Sequence, residues 1–168
     1  MNTVTHFDNI AEKYRDVRTT DPEPILYIAK ELQGLSGVVA ADVGCGAGRY
    51  DLGLLQKLGD NLGCLYCMDS SQEMLRELRS YLTQNAVGNF RVVQSAAEET
   101  PLRDETLDFV LTFNAIHHFR IEDFLNESSR VLKDGGYLFI PEQEVKIRGM
   151  FGEDIFHCLQ KKKLGFMN

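Results

Sequence analysis

Four short stretches carry residues whose types and spacing suit chemistry. The first is Asp42 to Arg49, DVGCGAGR. Its glycines permit a tight turn and let a ligand approach the backbone without interference from Cβ atoms. A dinucleotide-binding loop would read GxGxxG, but Arg49 stands where the third glycine would fall. A loop that cradles phosphates would need GK followed by Ser or Thr, which this segment lacks. The loop is shaped for a nucleoside without a pyrophosphate. The second stretch centres on Asp69, which can accept two charge-assisted hydrogen bonds from a ribose diol. The same residue can instead cap a helix starting near Ser70, and the sequence leaves both roles open. The third is Gln94 to Leu102, QSAAEETPL, which can wall an adenine or serve as a surface connection. The fourth is Asn114 to Phe119, NAIHHF, where His117 and His118 are candidates for proton transfer near neutral pH. Metal binding would need further ligands, and His6 and His157 lie far off in sequence, so no metal is expected.

The cysteines at 45, 64, 67 and 158 are too few and too unevenly spaced for a disulfide framework. Cys64 and Cys67 form a CxxC, which suggests zinc or redox chemistry. Zinc needs a second ligand pair of matching spacing, and none is present. The segment also reads as a strand, which points residues three apart to opposite faces. The pair is therefore expected to be two small core residues.

Positioning these stretches requires alternating elements. A short amphipathic helix is expected over about Phe7–Arg15 and a second from Asp21-Pro22 to about Leu32, stopped by Gly34 and Gly37. The apolar run Val38–Val43 reads as a buried strand, followed by a helix over about Tyr50–Leu58. Leu62–Met68 is a second strand. Ser70 or Ser71 then caps a helix to about Asn85 that sets Leu75, Leu78 and Leu82 on one face. Phe90–Gln94 and Leu107–Phe113 are further strands. Ile121–Leu132 is a helix halted by Lys133–Gly136, and Tyr137–Ile140 is a fifth strand. This alternation implies right-handed crossovers and a doubly wound α/β domain with a mostly parallel sheet. Ligands then bind at the carboxyl ends of the strands, where strand order reverses, which gathers the four stretches around one cleft.

The chain has 168 residues, enough for one domain with its own core. The formal net charge of −7 disfavours a dedicated nucleic-acid binder. No apolar run is long enough for a membrane span, and the first residues lack a signal-peptide pattern, so a cytoplasmic location is expected. Lys161, Lys162 and Lys163 suit the C-terminus of a helix, where cations favour the dipole, or contact with an acidic partner.

Taken in order, these motifs resemble the class I S-adenosylmethionine-dependent methyltransferases, and more narrowly the type-11 group that includes the quinone-biosynthesis C-methyltransferases. The resemblance covers roughly residues 7–140. It rests on DVGCGAGR, MDSSQEML around Asp69, AEETPLRDETLDFV, NAIHHF, RVLKDGGYLFI and the opening FDNIAEKYRDVR. It implies a Rossmann-like fold with S-adenosylmethionine as cofactor. Gly44, Gly46 and Gly48 would admit its methionine part, with Asp42 and Cys45 in the same loop. Asp69 would hold the ribose, beside Ser70. Met74, Ala96 and Ala97 would flank the adenine. Asn114 and Ala115 would sit near the methionine end. Tyr14 and Arg18 would close over the cofactor from a helical lid segment spanning residues 1–34. The implied activity is methyl transfer to a small-molecule acceptor, with His117 or His118 as a base where one is needed. The alternative is a non-catalytic or partner-completed cofactor-binding module.

Two departures stand out. Many relatives carry an Asp where this chain has Ala96, which removes one polar contact to the adenine. Backbone groups or Glu98 could substitute for it. The family's sheet normally has seven strands, yet after the core at 35–140 only residues 141–168 follow, which read as a short helical tail. The last strands would then be missing, through truncation or as a natural short form. The fifth strand would be an open edge for an oligomer or partner chain to cover.

Overall fold

The computed structural model describes residues 21–141 and 163–167. Its elements in chain order are α1 (Glu23–Glu31), β1 (Val38–Val43), α2 (Asp51–Leu58), β2 (Leu62–Asp69), α3 (Gln72–Gln84), β3 (Phe90–Gln94), β4 (Leu107–Leu111), α4 (Ile121–Val131), β5 (Leu132–Pro141) and β6 (Lys163–Met167). Two single 3-10 turns, Gly59–Asn61 and Ile116–His118, join them. The expected helix near residues 7–15 lies outside the described residues.

The strands form one sheet in the order β3-β2-β1-β4-β5-β6, and every pairing is parallel. Alternate strand residues supply the two faces. Ala40, Leu65, Cys67, Phe109 and Phe139 pack beneath Ile28 of α1, Leu54 of α2 and Leu78 of α3. Ala41, Val43, Met68, Val110 and Leu138 pack under Phe124, Leu125 and Val131 of α4. Burial on both faces explains why these strands read as continuous apolar runs. Strand order reverses between β1 and β4, so the loops after β1, β2, β3 and β4 converge at one end of the sheet.

The caps fit the residues. Asp21 Oδ1 accepts the Glu23 N–H at 3.0 Å, with Pro22 opening α1. Ser71 Oγ accepts the Met74 N–H at 3.2 Å and so caps α3.

Two expectations are corrected. β5 begins at Leu132, not Tyr137. Leu132 pairs with Leu107, the register then shifts, and Tyr137 pairs with Phe109. Gly135 turns the intervening residues at φ +76°, and the Lys133 ammonium holds Asp108 at 2.8 Å. The helical tail and open fifth-strand edge are also overturned in part. β6 lies parallel to β5 from Tyr137↔Lys163 to Pro141↔Met167, so that edge of β5 is covered by this chain's own residues. A strand edge carries unpaired N–H and C=O groups, and the sequence KLGFM can satisfy them. Lys163 accordingly opens a strand, while Lys161 and Lys162 lie outside the described residues. Among the described residues, no helix is long and apolar enough to cross a membrane.

Candidate functional site

The loop after β1 folds back on β2. The N–H groups of Gly44 and Cys45 share the Met68 carbonyl at 2.8 and 3.0 Å, and the Gly48 N–H donates to the Cys45 carbonyl at 3.2 Å. Gly44 has φ +77°, and a Cβ there would lie 2.5 Å from the Ala115 Cβ. The missing side chain lets the segment after β4 close against the loop. Gly48 serves packing differently. It has φ +82°, and a Cβ would come within 2.9 Å of Leu78 on α3.

Asp69 joins this loop to α3. Its Oδ2 accepts the Gly46 N–H and its Oδ1 the Ser71 N–H, both at 2.9 Å. Ser71, not Asp69, is the cap of α3. A carboxylate offers about four acceptor positions, so holding the loop does not by itself prevent Asp69 from accepting a ligand hydroxyl.

These elements frame a cleft of about 200 Å³. It brings together Asp42, Gly44, Cys45, Gly46, Asp69, Ser70, Met74, Ala96, Ala97, Asn114, Ala115 and His118 from the residues singled out in the sequence. Met74 and Ala97 are buried in its wall, and Ala96 is exposed. Asn114 takes a left-handed conformation, φ +55°, which Asn tolerates better than most residues. Gly48 and His117 do not line the cleft. Tyr14 and Arg18 lie outside the described residues.

The walls also contain residues whose part the sequence did not reveal. Tyr50 stacks on Phe113, with ring centroids 4.1 Å apart and planes 15° from parallel. The Arg49 guanidinium sits 4.8 Å from the Tyr50 ring centroid. Ser95, Glu98 and Phe119, from the stretches after β3 and β4 that the sequence singles out, also line the cleft. An aromatic two residues after the last loop glycine was the available signal for Tyr50. Nothing local marks Phe113 as its partner.

The connection after β3 contains no helix, and side chains tie it down. Thr100 donates to Glu127 Oε1 through both its N–H and its hydroxyl at 2.7 Å. Arg130 bonds both Glu127 oxygens at 2.6 and 2.8 Å, Asp104 at 2.6 Å and the Leu102 carbonyl at 2.9 Å. Burial acts to raise the Glu127 carboxyl, but its bonds to Arg130 and Thr100 outweigh that and hold it below the ordinary range. Glu98 Oε1 accepts the Arg120 N–H at 2.7 Å, linking the cleft to the start of α4.

Beneath the glycine loop lies a buried acid. Asp51 has no exposed surface, and its carboxyl is pushed up to about 7, first by burial and further by the charge of Asp69, against a lowering contribution from Cys67. Burial also drives the thiols of Cys45 and Cys67 well above the ordinary range, so neither is a reactive thiolate. The CxxC behaves as a strand pair, with Cys67 buried in the core. At the mouth, partial burial and the neighbouring His117 lower the His118 imidazole below 6.5.

An acid at the end of β2, a glycine loop folded against it and an apolar slot between them frame a cleft at the carboxyl ends of a doubly wound sheet, where such sheets bind their ligands. The family profile described as "Methyltransferase domain" matches residues 41–140, and the chain belongs to this family. A curated relative is YcgJ of Bacillus subtilis, an uncharacterized methyltransferase. It is 29% identical over 143 residues, covering 83% of this chain and 55% of the relative. The crystal structure of YcgJ matches with a TM-score of 0.64 at 25% identity, covering 74% of this chain and 54% of that one. UbiE of Azotobacter vinelandii, a ubiquinone/menaquinone biosynthesis C-methyltransferase, is 32% identical over 126 residues, covering 73% of this chain and 49% of the relative. Mouse ALKBH8, a tRNA (carboxymethyluridine(34)-5-O)-methyltransferase, is 30% identical over 148 residues, covering 83% and 20%. The chain thus spans about half the length of YcgJ and UbiE.

The family implies S-adenosylmethionine, and the residues present fit it. The Asp69 carboxylate at the cleft could accept ribose hydroxyls, Met74 and Ala97 line it with apolar surface that a base could occupy, and the Ser95 hydroxyl in that wall is a buried polar atom without a partner among the described residues.

Proposed function

We propose that this chain binds S-adenosylmethionine in the cleft and takes part in methyl transfer to a small-molecule acceptor. The observation that carries the reading is Asp69, held by Gly46 and Ser71 at the rim of a slot with apolar walls. When bound, the cofactor supplies an electrophilic methyl group on a sulfonium, which a substrate nucleophile takes in line. The protein's task is then orientation and exclusion of water.

Asp69 orients the ribose through charge-assisted hydrogen bonds. Met74 and Ala97 clasp the base. The loop from Gly44 to Gly46 and the residues Asn114 and Ala115 border the methionine end, next to the Tyr50–Phe113 stack. His118 is the proton acceptor for an acceptor group that must lose a proton. Its lowered affinity keeps the imidazole neutral near pH 7, the form a base requires. Its place on the cleft wall favours it over His117.

Titration calorimetry with S-adenosylmethionine and S-adenosylhomocysteine tests the cofactor. Wild type binds both, and Asp69→Ala weakens each on the order of 100-fold, as expected for losing two charge-assisted hydrogen bonds. Equal binding by wild type and Asp69→Ala would sink the reading. Transfer of a labelled methyl group to small acceptors or to tRNA then separates the acceptor classes. Tight binding without transfer to either supports the second reading, a module completed by a partner chain. The exposed Ala96, which offers the base no side-chain polar group, favours that alternative.

A further inference from the structure

Four consecutive residues, 95–98, line the part of the cleft that follows β3. Two of them, Ala96 and Ala97, carry no polar side-chain atom. Glu98 has Oε1 engaged by the Arg120 N–H at 2.7 Å. Ser95 is different. Its N–H donates to the Asp69 carbonyl at 3.1 Å, which fixes the residue beside the acid. Its Oγ is buried and bonds nothing among the described residues.

A buried hydroxyl without a partner is costly, and a ligand that supplies the partner recovers that cost on binding. Serine has one side-chain torsion with three staggered wells. Rotation can therefore bring Oγ from its buried position to the cleft surface that Ser95 already lines. An adenine presents ring nitrogens that accept hydrogen bonds and an exocyclic amine that donates them. Backbone N–H groups can serve the ring nitrogens. The amine needs an acceptor, and residues 95–98 offer two side chains with oxygen, Ser95 and Glu98. Of these, Glu98 already serves the Arg120 N–H, whereas the Ser95 hydroxyl is the buried oxygen that a ligand would satisfy.

We propose that the Ser95 hydroxyl is a specificity-determining residue that accepts a hydrogen bond from the exocyclic amine of the cofactor's adenine. The inference rests on the cofactor reading above and assigns the base recognition within it.

The test is calorimetric titration of wild type and Ser95→Ala with S-adenosylhomocysteine and with its analogue lacking the 6-amino group. Wild type is expected to prefer the amine-bearing ligand by about five- to tenfold, the worth of one hydrogen bond plus a relieved orphan. Ser95→Ala loses that preference and binds the analogue as wild type does. Ser95→Cys, close in volume but a weak acceptor, follows Ser95→Ala. Thermal unfolding of free Ser95→Ala is no lower than wild type, because the deleted oxygen bonds nothing among the described residues. A retained preference in Ser95→Ala, or equal weakening toward both ligands, overturns the proposal while leaving the cofactor reading intact. Failure of wild type to bind either ligand overturns both.

Discussion

The two rims of the cleft are built in different ways. The rim from β1 and β2 is held through its backbone N–H groups: the Met68 carbonyl takes two from the loop, and the Asp69 carboxylate takes two more. The rim from β3 and β4 is held by side chains distant in sequence: Glu127 and Arg130 grip residues 100–104, and Glu98 reaches Arg120. A backbone-held rim depends on few residue types, chiefly glycines and one acid. A side-chain-held rim spreads its dependence over many residues, each replaceable at modest cost.

The largest expected effect lies under the first rim. Asp51 has its affinity for protons raised on folding, from 3.8 to about 7. A group raised in this way contributes stability that is fully present below the unfolded value and is lost as pH rises through the folded one. At about 1.4 kcal/mol per unit, the loss between about pH 4 and pH 8 is up to about 4 kcal/mol. Denaturant titrations across that range should show the fall in wild type and a flatter profile in Asp51→Asn. Parallel profiles would mean that Asp51 does not titrate there.

Gly44→Ala comes next. A methyl group 2.5 Å from Ala115, at a left-handed φ, is expected to cost about 2–3 kcal/mol and to push the two rims apart. Chemical denaturation gives the first quantity, and weakened cofactor binding gives the second.

The second rim should yield less. Arg130→Met removes bonds to Glu127, Asp104 and the Leu102 carbonyl, but the arginine is 35% exposed. A loss of about 1–2 kcal/mol is expected, with faster proteolysis between residues 95 and 106. A larger loss than Gly44→Ala would reverse the comparison. The smallest effect is Ala96→Asp, a change at an exposed position that adds an acceptor to the rim. It should tighten cofactor binding about threefold without altering stability.

The same contrast explains what the sequence could disclose. The β1 loop, Asp69 and the strands around them were legible because glycine spacing and unbroken apolar runs are local signals. The cap on α3 was narrowed to Ser70 or Ser71, and Ser71 fills it. For Asp69 the sequence is equally consistent with capping and with ligand duty. The backbone bonds that orient it come from Gly46 and Ser71, and no periodicity encodes the first. Tyr50 against Phe113 and Glu98 against Arg120 are long-range pairs, visible only once the sheet is assembled. In sequence Gly135 and Gly136 look like a terminator, whereas in the fold they form an irregularity inside β5. The β6 segment is short and follows charged residues, so it carries weak strand signal until β5 offers it an edge.

One feature ties kinetics to occupancy. Asp69 joins the amide of Gly46 to the amide of Ser71 through a single carboxylate. These two amides belong to different elements, yet a swing of that carboxylate releases both. Their hydrogen exchange with solvent should therefore rise and fall together, slow when a diol anchors the acid and fast in Asp69→Ala. Two probes far apart in the chain would then report one opening event.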